Sequence, residues 1–331
     1  MRAVAYRRNL PVDDPGSLID VELAVPEPEP HDLLVRVSAV SVNPIDVKQR
    51  SSSDPGGTPR VLGFDAAGVV TATGVDVTLF EVGDEVFYAG SIARPGSNAE
   101  YQLVDERITG HKPTTLDFAE AAALPLTSIT AWETLFDRFK IATDSQGTLV
   151  VMAGAGGVGS MLIQLARRLT ALTVIATASR AESQRWARDL GAHHVIDHHA
   201  GLAEKVLAVA PDGVDYVFTP YSTGNVEAFA QMLRPQGQVT AIDSPLGLDL
   251  LALKTKSIAW HWESMFTRPL LLPADTTQHQ ALEQIRGLVE DGLIRTTMTT
   301  RLEPINAGNL RRAHTMIESG ATIGKIVVNG F

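Results

Sequence analysis

Short runs of alternating apolar and polar residues fill the first third of the chain, a pattern typical of β-strands. Proline, glycine and aspartate separate these runs, and the polar, proline-rich segment 26–32 (PEPEPHD) is typical of a loop. The pattern predicts strands at residues 1–6, 32–42, 68–73, 85–88 and 100–104.

From Asp117 onwards the apolar residues follow a different spacing. The segment 117–139 is rich in alanine and leucine with helical periodicity, and it is interrupted at Pro125. Strands and helices then alternate, which indicates right-handed βαβ units and a parallel sheet covered on both faces. The predicted strands are 148–153, 172–178, 194–197, 215–219 and 238–243, and the predicted helices are 157–170, 180–190 and 226–233.

The last part of the chain predicts two helices, at 278–291 and 307–319, and a final strand within 324–331. This segment is too short to bury a core of its own, so we expect it to pack on the N-terminal part. The predicted fold class is α/β. A β-rich domain spans 1–120, a doubly wound parallel-sheet domain spans 121–264, and residues 265–331 return to the first domain.

The composition of the chain excludes several classes of function. Its 331 residues are 44% hydrophobic and 20% charged, which is ordinary for a globular protein of about two domains. A net charge of −10, without a Lys/Arg block, disfavours nucleic acid and anionic membranes as partners. The absence of cysteine excludes disulfides, thiolate catalysis and thiolate metal sites. Because the N-terminus lacks an apolar signal region and no apolar run could span a membrane, we expect a cytoplasmic protein.

The most specific motif is the segment 150–160 (VVMAGAGGVGS), which follows a predicted strand and opens a predicted helix. Glycines let the backbone of such a turn approach a pyrophosphate, and the N–H groups of the helix N-terminus stabilise the phosphates. Ile242 and Asp243 end a later strand, where open α/β sheets bind ligands. We predict a dinucleotide site that also includes Gly154, Gly156, Gly157, Val158 and Gly159.

The end of the second strand of this domain indicates which dinucleotide is bound. NAD sites place an acidic residue there, but this chain has Ser179 and Arg180, and its first acid, Glu182, lies inside the next helix. A hydroxyl and a guanidinium suit a 2′-phosphate, which Arg can bind through two hydrogen bonds. We therefore predict NADPH as the cofactor. The alternative is that Arg180 is a solvent-exposed residue without a role in cofactor binding.

Several segments together resemble one known family. They are 39–50 (AVSVNPIDVKQR), 61–70 (VLGFDAAGVV), 82–90 (VGDEVFYAG), 121–135 (AAALPLTSITAWETL), 153–159 (AGAGGVG), 190–198 (LGAHHVIDH) and 324–331 (GKIVVNGF). Across nearly its whole length the chain resembles the zinc-type alcohol dehydrogenase-like members of the medium-chain dehydrogenase/reductase superfamily. It is most similar to the metal-free, zeta-crystallin-like quinone oxidoreductases.

The resemblance implies a GroES-like β-domain, an inserted Rossmann domain and a C-terminal return to the first domain. It also implies a homodimer joined through Rossmann sheet edges, for which the strand 237–243 is the candidate. The zinc enzymes of the family bind the catalytic zinc through a Cys, a His and a Cys, and those positions here are Asn43, Phe64 and Leu126. Since a phenyl ring and an isobutyl group cannot bind zinc, and the four-Cys structural lobe is absent, we predict no metal.

Without a metal Lewis acid, we expect NADPH to reduce a quinone or an α,β-unsaturated carbonyl, whose developing oxyanion is delocalised and needs only modest donors. By resemblance, the Asn43 amide can donate to an enolate oxygen, and Lys48 replaces a tyrosine common in quinone reductases. Asp46 orients these groups or anchors the loop. Thr130 matches a threonine that contacts the nicotinamide, and His198 matches a tyrosine beside the adenosine phosphate.

Other interpretations stay open at this point. Asn43 could form a plain turn, Lys48 could be a solvated surface residue, and the Thr130 hydroxyl could bond its own helix. A nonenzymatic NADPH-binding sensor or crystallin-like protein would need the same nucleotide site, and a zinc alcohol dehydrogenase is the third reading. The histidines of segment 193–199 (HHVIDHH) could bind a metal, although alternation along a strand would direct them to opposite faces.

Overall fold

The computed structural model describes all 331 residues and separates into two units. The discontinuous unit comprises Met1–Ile129 and Met265–Phe331, and the continuous unit comprises Thr130–Ser264. The first break lies after residue 129 and not at the expected 120. The reason is that the helix at Phe118–Ala122 packs on the sheet of the discontinuous unit.

The chain forms sixteen strands and ten α-helices, with a π-helical turn at Glu133–Arg138. The strands are β1 (Arg2–Tyr6), β2 (Ile19–Glu22), β3 (Asp32–Val42), β4 (Arg60–Val61), β5 (Ala66–Thr73), β6 (Glu85–Tyr88), β7 (Tyr101–Asp105), β8 (Thr109–His111), β9 (Thr148–Val151), β10 (Thr173–Thr177), β11 (His194–Ile196), β12 (Val214–Thr219), β13 (Leu233–Ala241), β14 (Ala259–Trp262), β15 (Met298–Leu302) and β16 (Lys325–Asn329). The helices are α1 (Pro44–Ser52), α2 (Phe118–Ala122), α3 (Pro125–Trp132), α4 (Gly157–Leu169), α5 (Ala181–Asp189), α6 (Leu202–Val209), α7 (Val226–Met232), α8 (Thr267–Leu271), α9 (Thr277–Glu290) and α10 (Ala307–Glu318).

The discontinuous unit contains two sheets. A three-stranded antiparallel sheet has the order β2-β1-β4, and a seven-stranded sheet has the order β15-β16-β3-β5-β6-β8, with β7 also paired to β3. Strand β16 runs antiparallel to β3, with Ile326 opposite Val42. The C-terminal segment thus supplies two strands to the sheet that the N-terminal segment begins.

Helix α9 shows why the C-terminal segment needs this sheet. Its buried residues recur at helical spacing, and the helix packs against β8. A side chain at Gly110 would come within 2.6 Å of Leu282, so this glycine permits the close approach.

No helix of the chain, α9 included, combines the length and the apolar character that crossing a membrane requires.

The continuous unit is one parallel sheet of order β11-β10-β9-β12-β13-β14 with helices in its crossover connections. This order is that of a Rossmann domain, and the predicted fold class is confirmed. The expectation that strand 237–243 forms a free edge is wrong, because β13 lies between β12 and β14. The aromatic strand β14 takes the edge, with Trp260 beside Val239.

Candidate functional site

All six strands of the Rossmann sheet are parallel, so their carboxyl ends meet at one edge, hereafter the carboxyl edge. Every residue predicted to bind the cofactor follows one of these strand ends. The glycine turn follows β9, Ser179 and Arg180 follow β10, His198 follows β11, and Ile242 and Asp243 follow β13. The topology therefore gathers the predicted cofactor residues along a single edge of the sheet.

The glycine turn joins β9 to α4 and is fixed by the neighbouring strand β10. The N–H of Ala153 donates to Thr177 Oγ1 at 3.0 Å, and the N–H of Gly154 donates to the Thr177 carbonyl at 2.9 Å. Ala153 takes a left-handed conformation with φ of 53°, which turns the chain towards the helix. Helix α4 then begins at Gly157, and its N-cap residue Gly156 has no side chain to satisfy the first N–H groups.

The glycines of this turn meet the steric needs of a pyrophosphate site. A Cβ at Gly159 would lie 2.4 Å from the Ala153 carbonyl oxygen, and one at Gly154 would lie 2.7 Å from the Ala176 Cβ. A Cβ at Gly156 would meet only the Ala153 oxygen, at 3.3 Å. Gly159 and Gly154 thus allow helix, turn and strand to pack closely, whereas a Cβ at Gly156 would be only slightly too close to its neighbour. The uncapped N–H groups at the helix N-terminus fit a dinucleotide phosphate.

The segment after β10 has the character expected for a 2′-phosphate site. Arg180 is the exposed N-cap residue of α5, and its N–H donates to Ser183 Oγ at 3.2 Å. The Ser183 hydroxyl in turn donates to the Arg180 carbonyl at 2.9 Å. The backbone of Arg180 is fixed by these bonds, and half-buried Ser179 lies just before it. No acidic residue ends β10.

His198 lies half-buried in the loop after β11. Its Nδ1 atom is buried and has no hydrogen-bond partner in the protein, and burial lowers the pKa of the ring, with His199 contributing. The ring is therefore neutral near pH 7 unless an anion approaches it. The histidine segment forms no metal-binding group, since no group of three or more His, Cys, Asp or Glu residues in the chain could hold a metal ion.

The residues after β13 have structural partners. The N–H of Ile242 donates to the Thr219 carbonyl at 3.1 Å. The Asp243 carboxylate accepts hydrogen bonds from the N–H and the hydroxyl of Ser222, at 2.7 and 2.6 Å. Asp243 thus ties the end of β13 to the loop after β12, and its role as a cofactor contact stays a prediction.

A buried polar cluster occupies the discontinuous unit around Asn43. The Asn43 amide donates to Asp65 Oδ2 at 2.9 Å and to the Ser41 carbonyl at 3.3 Å, while its Oδ1 accepts from Lys325 Nζ. Lys325 also pairs with Asp65 Oδ2 at 3.0 Å. Asn43, Asp65 and Lys325 are 1 to 3% exposed, so the contacts lie in a low-dielectric interior.

Asp46 occupies the neighbouring part of this cluster. Its carboxylate accepts the backbone N–H of Asn43 at 2.8 Å and that of Gly63 at 3.0 Å. Burial raises its pKa to about 7, against the opposing effects of these bonds and of Lys325. Burial also raises the pKa of Asp65, again opposed by Lys325. Asp46 is thus placed as the predicted loop anchor, joining α1 to the segment before β5.

The donor set at the three zinc-ligand positions does not fit zinc. Asn43 already bonds two oxygens and an ammonium, Phe64 packs its ring edge-on to Phe266 with 5.4 Å between ring centres, and Leu126 has no side-chain donor. The Lys325 ammonium would also repel a cation. Asp65 instead accepts the N–H of Leu126 at 2.8 Å, which fixes the start of α3.

The two other catalytic candidates differ in their surroundings. Lys48 is exposed on α1, so its ammonium is free to reorient in solvent. Thr130 is buried, 5% exposed, in the last turns of α3. The donor roles of Asn43 and Lys48 and the nicotinamide contact of Thr130 stay predictions. For Asn43, donation to a substrate would require its amide to leave the 3.3 Å bond to Ser41, the longer of its two.

Sequence reasoning missed Lys325, the cation on which this cluster depends. The residue opens the last predicted strand, where its neighbours indicate only a β-strand. It lies 260 positions after Asp65 in the chain, so no local spacing connects the two. The one feature of the sequence that could have revealed it is a lysine in a strand expected to be buried. A lysine buried in a sheet core requires an anionic partner.

Replacing Lys325 by methionine should destabilise the protein by about 3–5 kcal/mol, because Asp65 would remain buried without a counter-charge. The loss should be larger at pH 8 than at pH 5. A buried carboxyl whose folded pKa is raised favours folding when protonated and loses that stability as pH rises. Urea unfolding at both pH values measures the effect.

Two variants complete this test. The double variant Lys325→Met/Asp65→Asn should recover part of the stability, since Asn can still accept the Leu126 N–H. The exposed residue Lys48, changed to methionine, should alter the unfolding free energy by no more than about 0.5 kcal/mol. An equal loss for Lys325→Met at both pH values, without recovery in the double variant, would contradict the ion-pair argument.

The chain is similar to characterised families and proteins over nearly its full length. Residues 29–124 match the alcohol dehydrogenase GroES-like domain, and residues 190–328 match the zinc-binding dehydrogenase family. A zinc-type alcohol dehydrogenase-like protein of Staphylococcus aureus strain COL is 43% identical, covering 99% of this chain and all of its own. A crystal structure of a provisionally assigned zinc-dependent alcohol dehydrogenase protein from Rhizobium etli CFN 42 is 52% identical, with a TM-score of 0.97 and coverage of 100% and 98%.

A more distant relative carries a different activity in its name. The chloroplastic NADPH-dependent alkenal/one oxidoreductase of Arabidopsis thaliana is 28% identical, covering 94% of this chain and 75% of its own. Together with the GroES-like and Rossmann units and the glycine turn, these similarities establish the family. The chain belongs to the medium-chain dehydrogenase/reductase superfamily of oxidoreductases, among its zinc-type alcohol dehydrogenase-like proteins.

Proposed function

We propose that this protein is a metal-independent, NADPH-dependent reductase of quinones or α,β-unsaturated carbonyl compounds. The observation that carries the proposal is the closed cluster of Asn43, Asp65 and Lys325, which stands where a zinc enzyme of the family would hold its metal. A protein with an ammonium at this place has no Lewis acid to activate a simple alcohol or aldehyde.

The cofactor preference rests on the carboxyl edge of the Rossmann sheet. The glycine turn and the N-terminus of α4 would hold the pyrophosphate, and exposed Arg180 would bind the 2′-phosphate. His198 would lie beside that phosphate, where an anion would raise its lowered pKa. When bound, NADPH supplies a hydride. The Arabidopsis relative, with NADPH in its name, supports this preference.

The substrate class follows from the donors available. Reduction of a conjugated acceptor places negative charge on a delocalised oxyanion, which a neutral amide or an exposed ammonium can stabilise. We assign that part to Asn43 and Lys48, with Asp46 fixing the Asn43 backbone through the 2.8 Å bond. Thr130 would contact the nicotinamide. The alkenal/one activity named for the Arabidopsis relative supports an unsaturated carbonyl as substrate.

We further propose a homodimer, formed by the edge strand β14. This strand pairs only with β13, so one row of its backbone groups has no strand partner. Trp262, at its end, is 51% exposed. An exposed aromatic edge strand is suited to pairing with a second copy of the chain.

Arg180→Asp should weaken NADPH binding far more than NADH binding, because only NADPH carries the 2′-phosphate that the guanidinium would meet. Loss of one bidentate phosphate contact should cost NADPH about tenfold or more in affinity. Titration of nicotinamide fluorescence with each nucleotide measures the ratio. Equal weakening of both nucleotides would disprove the 2′-phosphate assignment.

Gly156→Ala should lower the melting temperature only slightly and abolish tight NADPH binding, because its Cβ would lie 3.3 Å from the Ala153 oxygen, a mildly tight contact, but would occupy the phosphate position. Gly159→Ala is the matched comparison. It should lower the melting temperature, since its Cβ would lie 2.4 Å from a backbone oxygen. Thermal melts and NADPH titrations of both variants distinguish the two roles. Undiminished NADPH binding by Gly156→Ala would contradict the proposed pyrophosphate site.

The activity itself is tested by following NADPH oxidation at the nicotinamide absorbance band with an ortho-quinone and with an enone. Matched samples with and without a strong chelator should show equal rates, because no group of three or more His, Cys, Asp or Glu residues in the chain could hold a metal ion. Gly156→Ala serves as the cofactor-binding control and should be inactive. Turnover lost to the chelator would overturn metal independence. NADPH binding without turnover of either acceptor class would overturn the reductase assignment and favour a sensor.

A further inference from the structure

A second buried cluster of ionisable groups lies in the continuous unit, outside all the residues assigned above. Glu133 opens the π-helical turn that continues α3, and Arg138 closes it five residues later. In a π-helix such residues come onto one face, and Arg138 Nη2 lies 4.0 Å from Glu133 Oε2. Arg138 Nε also donates to Glu263 Oε2 at 2.7 Å. Glu133 and Glu263 are only 1% and 4% exposed.

Two ionised carboxyls beside one guanidinium would leave a net negative charge in a buried place, which favours a retained proton on one of them. Both carboxyl groups lie beside the same guanidinium, that of Arg138, so a proton kept by one of them can be donated to the other. Glu263 Oε1 receives no hydrogen bond from any N–H or hydroxyl group of the chain. Burial, reinforced by the neighbouring Glu133, raises the pKa of Glu263 to about 9, and Arg138 opposes the shift. With one proton, the two carboxyls and the guanidinium are neutral together.

The other ionisable groups nearby do not neutralise a second carboxylate. His261 on β14 bonds Gln238 through Nε2 at 2.9 Å, and burial together with Arg138 and Lys140 lowers its pKa, so its ring stays neutral. Lys140 itself is exposed. Tyr216 on β12 packs against Phe139, and burial raises its pKa.

The cluster joins two places that the proposed cofactor site needs. Glu263 directly follows β14 at the carboxyl edge, and its N–H donates to the Ala241 carbonyl at 2.9 Å, the residue before Ile242. Glu133 lies three positions after Thr130, one turn along the same helical run. Through Arg138, which contacts both carboxyl groups, the helical turn after Thr130 is joined to the end of the sheet.

We propose that Glu133, Glu263 and Arg138 form a proton-dependent clamp, a set of positioning residues that places Thr130 for the nicotinamide half of NADPH. The inference rests on the proposed NADPH site. When the proton passes to hydroxide in solution, the carboxyl–carboxylate hydrogen bond is lost. Two buried anions then face one guanidinium, and their repulsion moves the turn away from the carboxyl edge. Affinity for the nicotinamide half falls as a consequence.

The direction of the pH effect follows from the raised pKa of Glu263. The protonated clamp is intact at neutral pH and is lost as pH rises through about 9. Wild-type NADPH affinity should therefore fall about five- to tenfold between pH 7.5 and 10. Affinity for adenosine 2′,5′-bisphosphate, which lacks the nicotinamide, should not show this step. Fluorescence and calorimetric titrations measure the two affinities.

Conservative variants separate proton-dependent positioning from a merely structural role. Glu263→Gln is neutral at every pH and can donate from its amide to Glu133, so it should bind NADPH at pH 7.5 and lose the alkaline step. Glu133→Gln neutralises the other carboxyl of the pair. It replaces Glu263→Gln in the test if that variant does not fold. Glu263→Ala lacks the bond and should bind NADPH weakly at both pH values. Glu227→Gln, on the exposed face of α7, is the matched control and should behave as wild type.

The outcomes distinguish the clamp from the function on which it rests. An alkaline step in wild type that both glutamine variants remove supports the clamp. Affinity that is independent of pH in wild type, or a step that persists unchanged in Glu263→Gln and Glu133→Gln, overturns the clamp and leaves the NADPH site intact. Equal alkaline loss of adenosine 2′,5′-bisphosphate also overturns it, because the effect is then not confined to the nicotinamide half. Failure of every variant and of wild type to bind NADPH overturns the proposed function together with the clamp.

Discussion

A carboxyl group folded into an apolar interior needs either a cation or a proton, and both units of this chain are arranged around that requirement. In the discontinuous unit, Lys325 supplies the cation to Asp65 and bonds Asn43 as well. Through these contacts the last strand is tied to the segment that follows β3. Asp65 also accepts the Leu126 N–H, so the same ion pair fixes the start of α3.

The name of the matching family includes zinc binding, whereas the buried cluster around Asn43 in this chain contains a lysine. Removing a divalent cation from a buried site leaves carboxylates without compensation, which is unfavourable unless a different positive group replaces it. Under the proposed metal independence, Lys325 supplies that positive group and the Asn43 amide adds a hydrogen bond. Phe64 and Phe266 pack against each other nearby. The negative charge of Asp65 is therefore balanced by an ammonium and an amide. Both groups donate hydrogen bonds to it, and neither offers a coordination position to a ligand.

The sequence was sufficient where a structural requirement is local. The turn at 154–159 could be predicted because a Cβ would come within 2.4 Å of a neighbouring atom at Gly159 and within 2.7 Å at Gly154, and helix α4 begins at Gly157 as expected. Contacts between distant residues left no such pattern. Lys325 and Asp65, or Glu133 and Glu263, are ordinary polar residues until the fold places them together. The edge position of strand 237–243 was wrong for the same reason: an edge depends on whether another strand pairs beyond it, and β14 does.

The two buried clusters follow one charge rule. Each has two carboxyl groups and a single basic side chain, so each carries a net negative charge when both acids ionise and is neutral when it retains one proton. Since burial disfavours net charge, each raises the pKa of an acid, Asp46 to about 7 and Glu263 to about 9. The difference in pKa has a structural cause. Asp46 accepts two backbone N–H groups that stabilise its anion, whereas Glu263 faces a second carboxyl group that destabilises its own. A proton is therefore held firmly at the carboxyl edge of the Rossmann sheet at neutral pH, and loosely beside Asn43.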